Sequence, residues 1–398
     1  MSSLAAALLL FYALVLAYGT WNALRRPTRS GPTWSRPMWL PAMLTAELLP
    51  LRLLAGAVIV ALLVLADALD HPAGRLALVV VCVSWIGQLG LVWRSLAAGP
   101  AVARSLADAG IDVTPFVRID LMPVIVGYPY RVGRAIERVE GLRYDGTLQL
   151  DLYRSRNGHG GHVPVLVQVH GGSWGGGHRR QQGRPLIDRM SESGWIAVAP
   201  TYPLAPEHRF PEQLVALKRA IAWLRDNADD LGIDPAIIAV TGGSAGGHLA
   251  AMLALTGSDP AYQPGFEDAD TTVAAAVPFY GIYDLLNRAD VRDPYWSVME
   301  NFIGAGPDEA EGRYREASPL DRVGKAAPPF LIVHGSHDSL VPAAEGRAFA
   351  EALARVAPRI TYLEVPGATH AFDTIHSVRT HHVISGVHAF LEAVREGR

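Results

Sequence analysis

Residues 237–251 read Ile237-Ile238-Ala239-Val240-Thr241-Gly242-Gly243-Ser244-Ala245-Gly246-Gly247-His248-Leu249-Ala250-Ala251. The first five, four of them β-branched, fit a short buried strand. From Ala245 the chain turns to Ala, Leu and Met, which favour helix. Between the two lies Gly-x-Ser-x-Gly, and strand–turn–helix is the setting in which that pattern presents a nucleophile. The reason is steric. A serine on so tight a turn takes a strained backbone conformation, and glycines beside it let strand and helix approach. The turn would lift Ser244 Oγ above the sheet and aim the helix N-terminus at it. Two plainer readings compete, a Gly-rich turn and a phosphate-binding loop. The second needs Lys after the glycines or Gly-x-Gly-x-x-Gly, and neither is present.

Outward from this segment the pattern repeats. Residues 148–153 alternate apolar and polar, as a half-exposed strand does. Short apolar runs at 163–169, 195–199, 237–241, 273–279, 330–333 and 360–365 are bounded by Gly, Pro or Asp. Helical patterns fall between them at 213–227, 245–254, 343–356 and 383–396. Alternating strands and helices predict an α/β domain, a mostly parallel sheet with helices on both faces, over 134–398. In such sheets chemistry collects beyond the carboxyl ends of the strands.

The groups a serine nucleophile needs are found there. Ala245 would supply one oxyanion-hole N–H. The second source is His170-Gly171-Gly172-Ser173-Trp174-Gly175-Gly176-Gly177, directly after the strand at 163–169. Its small residues suit backbone N–H groups of Gly171 and Gly172 pointing into a cavity. Strand 330–333 leads into His334-Gly335-Ser336-His337-Asp338, and strand 360–365 into Pro366-Gly367-Ala368-Thr369-His370. Ser244, Asp338 and His370 thus occur in the hydrolase order Ser…Asp…His. Competitors are His170 as base and Asp284 as the carboxylate that orients it. His376, His381, His382 and His388 follow His370, but no carboxylate ligand motif accompanies them, and no metal or cofactor is expected. The insertion at 284–323 carries Tyr295, Trp296, Phe302 and Ile303, which read equally as a lid, an acyl-pocket wall or satellite core. Trp174, Tyr280, Tyr295 and Trp296 are the candidate substrate contacts.

Charge divides the chain in two. Of its 398 residues, the first hundred carry seven Arg, no Lys and three acids; the other 63 charged residues all follow. One cysteine, Cys82, excludes an intramolecular disulfide and a cysteine-built zinc site. A net charge of −3 without a Lys/Arg block leaves no footprint for nucleic acid. Apolar stretches at 4–21, 53–66 and 76–93 approach the ~20 residues a membrane span requires, the second only with flanking residues. Trp21, Trp34, Trp39 and Trp93 sit near their ends, as interfacial aromatics do. Three spans within 1–100 are expected, with one or two spans plus an interfacial helix as the alternative. A cleaved signal peptide would want a basic start, which Met1-Ser2-Ser3-Leu4 does not offer. Arg25, Arg26, Arg29 and Arg36 after the first stretch, and Arg94 and Arg104 after the third, predict an external N-terminus and a cytoplasmic C-terminal domain. Residues 101–133, with Pro115, Pro123 and Pro129, read as a connector, interfacial or supporting the domain. Nothing in the pattern speaks to oligomeric state.

Over 136–390 the chain resembles the α/β-hydrolase-fold carboxylesterases of the hormone-sensitive-lipase-like group. The resemblance rests on His170-Gly171-Gly172, Tyr202-Pro203-Leu204-Ala205-Pro206-Glu207-His208 with Phe210-Pro211, the Ser244 turn, Asp338-Ser339-Leu340-Val341-Pro342 and His370-Ala371-Phe372. It implies a Ser244–Asp338–His370 triad with Gly171, Gly172 and Ala245 as oxyanion donors, and an ester substrate, small or lipid. The overall layout is similar to actinobacterial membrane-anchored esterase/lipases and to plant isoprenylcysteine methylesterases, so membrane lipids are expected neighbours. Two features depart from the group. Gly243 stands where many members have Asp or Glu, and apolar sequence occupies the place of the usual N-terminal helical cap. An amidase, arylformamidase or acyltransferase would use the same triad. A non-enzymatic ligand sensor on this fold would lack a triad member, and none is missing.

Overall fold

Val163-Pro164-Val165-Leu166-Val167-Gln168-Val169 has no charged side chain, and all seven residues are buried. Such a strand must have neighbours on both edges and cover on both faces. A computed structural model describes residues 2–26, 39–114, 124, 133, 135–158, 160–292 and 295–397. In it this strand, β3, lies inside an eight-stranded sheet of order β1-β2-β4-β3-β5-β6-β7-β8. The strands are β1 Ile136–Asp145, β2 Leu148–Ser155, β3 Val163–Val169, β4 Ile196–Pro200, β5 Ile233–Gly243, β6 Ala275–Phe279, β7 Phe330–Gly335 and β8 Ile360–Val365. The β1–β2 and β2–β4 pairs are antiparallel and the other pairs parallel. Period-two alternation divides the core between the faces. Val165, Val167 and Val240 enter one apolar cluster, and Leu166, Ala239 and Val277 the other.

Ahead of the sheet lie α1 Ser2–Leu24, α2 Trp39–Glu47, α3 Leu49–Leu65, α4 Pro72–Leu96 and α5 Ala98–Ala107. Within and after it come α6 Arg184–Glu192, α7 Glu212–Asp226, α8 Ala245–Thr256, α9 Trp296–Ile303, α10 Pro307–Glu316, α11 Ala343–Ala354 and α12 Val378–Arg395. Strand β1 and helix α6 are absent from the sequence reading. β1 is an edge strand whose Glu, Arg and Asp residues obscure its period, and α6 begins and ends in charged residues.

α1 and α4 are each long and apolar enough to cross a membrane, by length and composition. The middle stretch is different. Its helix α3 has 17 residues, about 25 Å, and meets α2 at an 85° bend. α1 and α4 lie side by side and parallel: Gly74 faces Ala6 near their starts, and Arg94 donates to the Leu24 carbonyl at their ends at 3.0 Å. Trp34, Arg29, Arg36, Pro115, Pro123 and Pro129 lie outside the described residues. Of the connector, α5 joins the core of the α/β domain: Val102 and Leu106 pack with Val383, Val387 and Phe390 of α12.

Candidate active site

The Ser244 turn is a close approach of three elements. A Cβ on Gly242 would stand 2.5 Å from the Val169 carbonyl oxygen, and one on Gly247 2.6 Å from that of Phe279. Only hydrogen fits at either place. Ser244 itself has φ 59° and ψ −121°, a strained conformation for an L-residue. It is held by its N–H donating to the Phe279 carbonyl at 3.0 Å, while its own carbonyl accepts from His248 N–H at 2.9 Å. The hydroxyl makes no capping bond to α8. Gly243 has its own cause. A Cβ there would lie 2.5 Å from the Tyr280 hydroxyl, so an Asp or Glu before the serine would require the buried Tyr280 ring to move.

Beyond β7 and β8 the two expected partners meet. His370 Nδ1 lies 2.7 Å from Asp338 Oδ2, and both residues are buried. The other carboxylate oxygen accepts the Leu340 and Val341 N–H groups at 2.9 and 2.8 Å. Held so, the carboxylate accepts a hydrogen bond from Nδ1–H, which keeps the proton on Nδ1 and leaves Nε2 for a second partner. Tyr280 joins this pair to the turn. Its ring centroid is 4.6 Å from that of His370, its hydroxyl abuts Gly243, and the same hydroxyl donates to Asp373. Burial pushes the Asp373 carboxyl up to about 6.

The competitors are committed elsewhere. His170 Nδ1 is 2.9 Å from the Gly171 carbonyl, and its ring stacks on Tyr202 at 4.3 Å. Burial pushes its imidazole down to about 4, so it is neutral near pH 7. Asp284 accepts from Arg288 Nε at 3.0 Å and from its backbone N–H at 2.7 Å. His334 supports the acid loop through the Val341 carbonyl at 2.8 Å, and His337 meets Arg94 at 2.9 Å.

One oxyanion assignment changes. Gly171 N–H donates to Gln182 Oε1 at 2.7 Å and is therefore not free to receive a substrate oxygen. Past it the backbone reverses hand: Gly172 has φ +126°, and Ser173 and Trp174, neither of them glycine, have φ 55° and 58°. Among the described residues, the N–H groups of Gly172, Ser173 and Ala245 meet no protein acceptor. Gln182 escaped the sequence reading because a glutamine eleven residues downstream carries no motif.

A cavity of about 330 Å³ opens on Ser244, Ala245, Ser173 and Trp174. Its other walls are Trp39, Ile282, Tyr295, Val298, Met299, Leu340 and Val341, so among the described residues no charged side chain lines it. Of the four expected substrate contacts, Trp174 and Tyr295 are on this wall. Tyr280 is not: it is fully buried beneath His370. Trp296 is not either, because it turns to Tyr314, ring centroids 6.2 Å apart. Trp174 is fixed from behind by His248, whose Nδ1 accepts the indole N–H at 3.1 Å while Nε2 reaches the Ala317 carbonyl at 2.7 Å. Phe302 of α9 stacks on Trp174 at 4.3 Å. The insertion is thus a wall tied into the core.

The BD-FAE family model matches residues 150–353, half of the chain. The chain belongs to the BD-FAE family. This places its sheet among the hormone-sensitive-lipase-like α/β hydrolases. Esterase LipQ of Mycobacterium tuberculosis is 44% identical over 248 residues, 62% of this chain and 59% of LipQ. Esterase LipC of the same organism is 39% identical over 270 residues, 67% of each chain. The chain therefore spans about three fifths of LipQ's length. Among solved structures, a truncated carbohydrate esterase from gut microbiota superposes with a TM-score of 0.55 at 21% identity, covering 64% of this chain and 96% of that one. That likeness concerns the fold.

Proposed function

We propose that this BD-FAE protein is a membrane-anchored serine carboxylesterase that works through an acyl-enzyme. The observation that carries the reading is the buried Asp338–His370 pair, joined through Tyr280 to the turn bearing a strained, uncapped Ser244 at a largely apolar cavity. In the reaction His370 Nε2 takes the Ser244 hydroxyl proton as Oγ bonds to the ester carbonyl carbon. Charge on the carbonyl oxygen is met by the N–H groups of Gly172, Ser173 and Ala245. His370 returns the proton to the departing alcohol as the C–O bond breaks. Water then attacks the acyl-serine by the same route, releasing the acid and restoring Ser244.

The membrane part rests on α1 and α4. Two adjacent parallel spans require the chain to cross back between them, and this reading gives that third crossing to α3, from which α2 bends away by 85°. Arg25, Arg26 and Arg94 at the shared end support a cytoplasmic hydrolase domain.

Treating membranes with a fluorophosphonate tests the nucleophile. Wild type becomes labelled and turns over p-nitrophenyl esters, whereas Ser244→Ala does neither. Labelling that persists in the variant overturns the assignment. Turnover of an aryl formamide with no ester hydrolysed at any chain length overturns the ester reading.

A further inference from the structure

The cavity beside Ser244 has one wall residue from the apolar N-terminal region, Trp39. It stands at the first position of α2, and its indole meets the His370 ring edge-on, centroids 5.7 Å apart and planes at 78°. It packs against the apolar cluster that contains Tyr280, Ala371 and Phe372. An anchor that merely tethers the domain has no reason to place an indole between the general base and the substrate cavity.

α2 is also fixed in that place. At its far end Glu47 is buried against Arg379, with no exposed side-chain surface on either partner, and accepts the Ser377 hydroxyl at 2.6 Å. Ser377 and Arg379 lie on the segment that follows His370. A second joint sits beside the acid: Arg94, at the end of α4, bridges the Leu24 carbonyl and His337 Nε2 at 3.0 and 2.9 Å, one residue before Asp338. The N-terminal region therefore grips the loops of both the acid and the base. Between these joints Ala42 and Ala46 bury α2 against Ala23 and Leu91, so the helix has little freedom to withdraw Trp39.

We propose that α2 is a structural wall of the substrate cavity and that Trp39 is the residue setting which acyl groups fit beside Ser244. The inference rests on Ser244 being the nucleophile. The substrate class follows from the wall. Among the described residues no charge lines the cavity, and its volume of about 330 Å³ is at the lower end for ligand pockets. It suits a neutral ester with a short-to-medium apolar acyl group, bounded by the indole. Removing the indole deepens the cavity, and the gain belongs to longer chains.

The test uses full-length protein in its membranes and the rate of Ser244 labelling by alkyl fluorophosphonates of two to twelve carbons. Labelling needs no ester turnover. In Trp39→Ala the ratio of long-chain to short-chain labelling rates is expected to rise about tenfold over wild type. Trp39→Phe, a shorter aromatic, is expected to move it the same way by less, and it carries the test if the alanine variant does not accumulate. An unchanged ratio in the variant that accumulates, with both rates scaled equally, overturns the proposal, since a merely structural role lowers every chain length alike. Chain-dependent labelling without hydrolysis of any ester refutes the esterase reading and leaves this inference standing. Absence of labelling at Ser244 in wild type refutes both.

Discussion

At Asp338 one carboxylate has three hydrogen-bond partners, two backbone N–H groups on Oδ1 and the His370 imidazole on Oδ2. The backbone pair fixes the carboxylate plane, and the plane fixes the imidazole. Asp338→Asn keeps the shape but presents an amide where a proton acceptor is needed, which favours the wrong tautomer of His370. Ester turnover is expected to fall about 10³- to 10⁴-fold with the folded fraction unchanged, read from kcat beside a thermal melt. Ser244, Asp338 and His370 could be picked out as candidates from the sequence because each follows a strand and the strands are apolar runs. Gly171 was misread for a local reason. A Gly-rich loop announces that backbone N–H groups can turn inward, but which of them stays free depends on Gln182, whose side chain is brought there by folding.

At the scale of elements, α8 and α9 meet through His248, Trp174 and Phe302. Burial pushes His248 down to about 4, well below an unfolded histidine near 6.5. Between these values the unfolded chain binds the extra proton, so this residue makes stability fall as pH drops from about 6.5 to 4. His170 acts in the same sense. Asp188 and Asp373, raised by burial to about 6, act in the opposite sense: the folded state holds their protons first, and their contribution is lost as pH rises through 6. Comparing variants isolates the histidine. His248→Gln is expected to flatten the acid-side loss of stability by up to about 1.4 kcal/mol per pH unit, measured from thermal midpoints between pH 7 and 4.5. A parallel profile would mean that His248 binds its proton equally well in the folded and unfolded chain. Periodicity located α8, but it was silent on His248, since a histidine on a helix does not reveal which strand-end loop it will meet.

At the scale of the whole molecule, the apolar region and the hydrolase domain are joined by a buried ion pair, Glu47–Arg379. Two charges removed from water add little net stability as a pair, yet either one alone is costly. Glu47→Ala is expected to destabilise the protein by about 3–5 kcal/mol. Glu47→Leu combined with Arg379→Met should recover much of that loss, with denaturant midpoints of the single and double variants giving the coupling. Additive effects would show that the two side chains do not meet.

The sequence by itself determined the α/β class, the positions of the buried strands along the chain, the Ser…Asp…His order of the candidate residues and the division between an apolar region and a domain of ordinary charge. These are properties of local pattern: period-two and helical spacing, steric demands at a tight turn, and the length of apolar runs. Tertiary structure alone decided that Trp39, legible only as an aromatic near the end of an apolar stretch, packs edge-on against His370 and walls the cavity beside Ser244. It likewise decided that Glu47 meets Arg379, 332 residues further along. Contacts at such separations follow from how surfaces fit once the chain has folded, and no local pattern carries them.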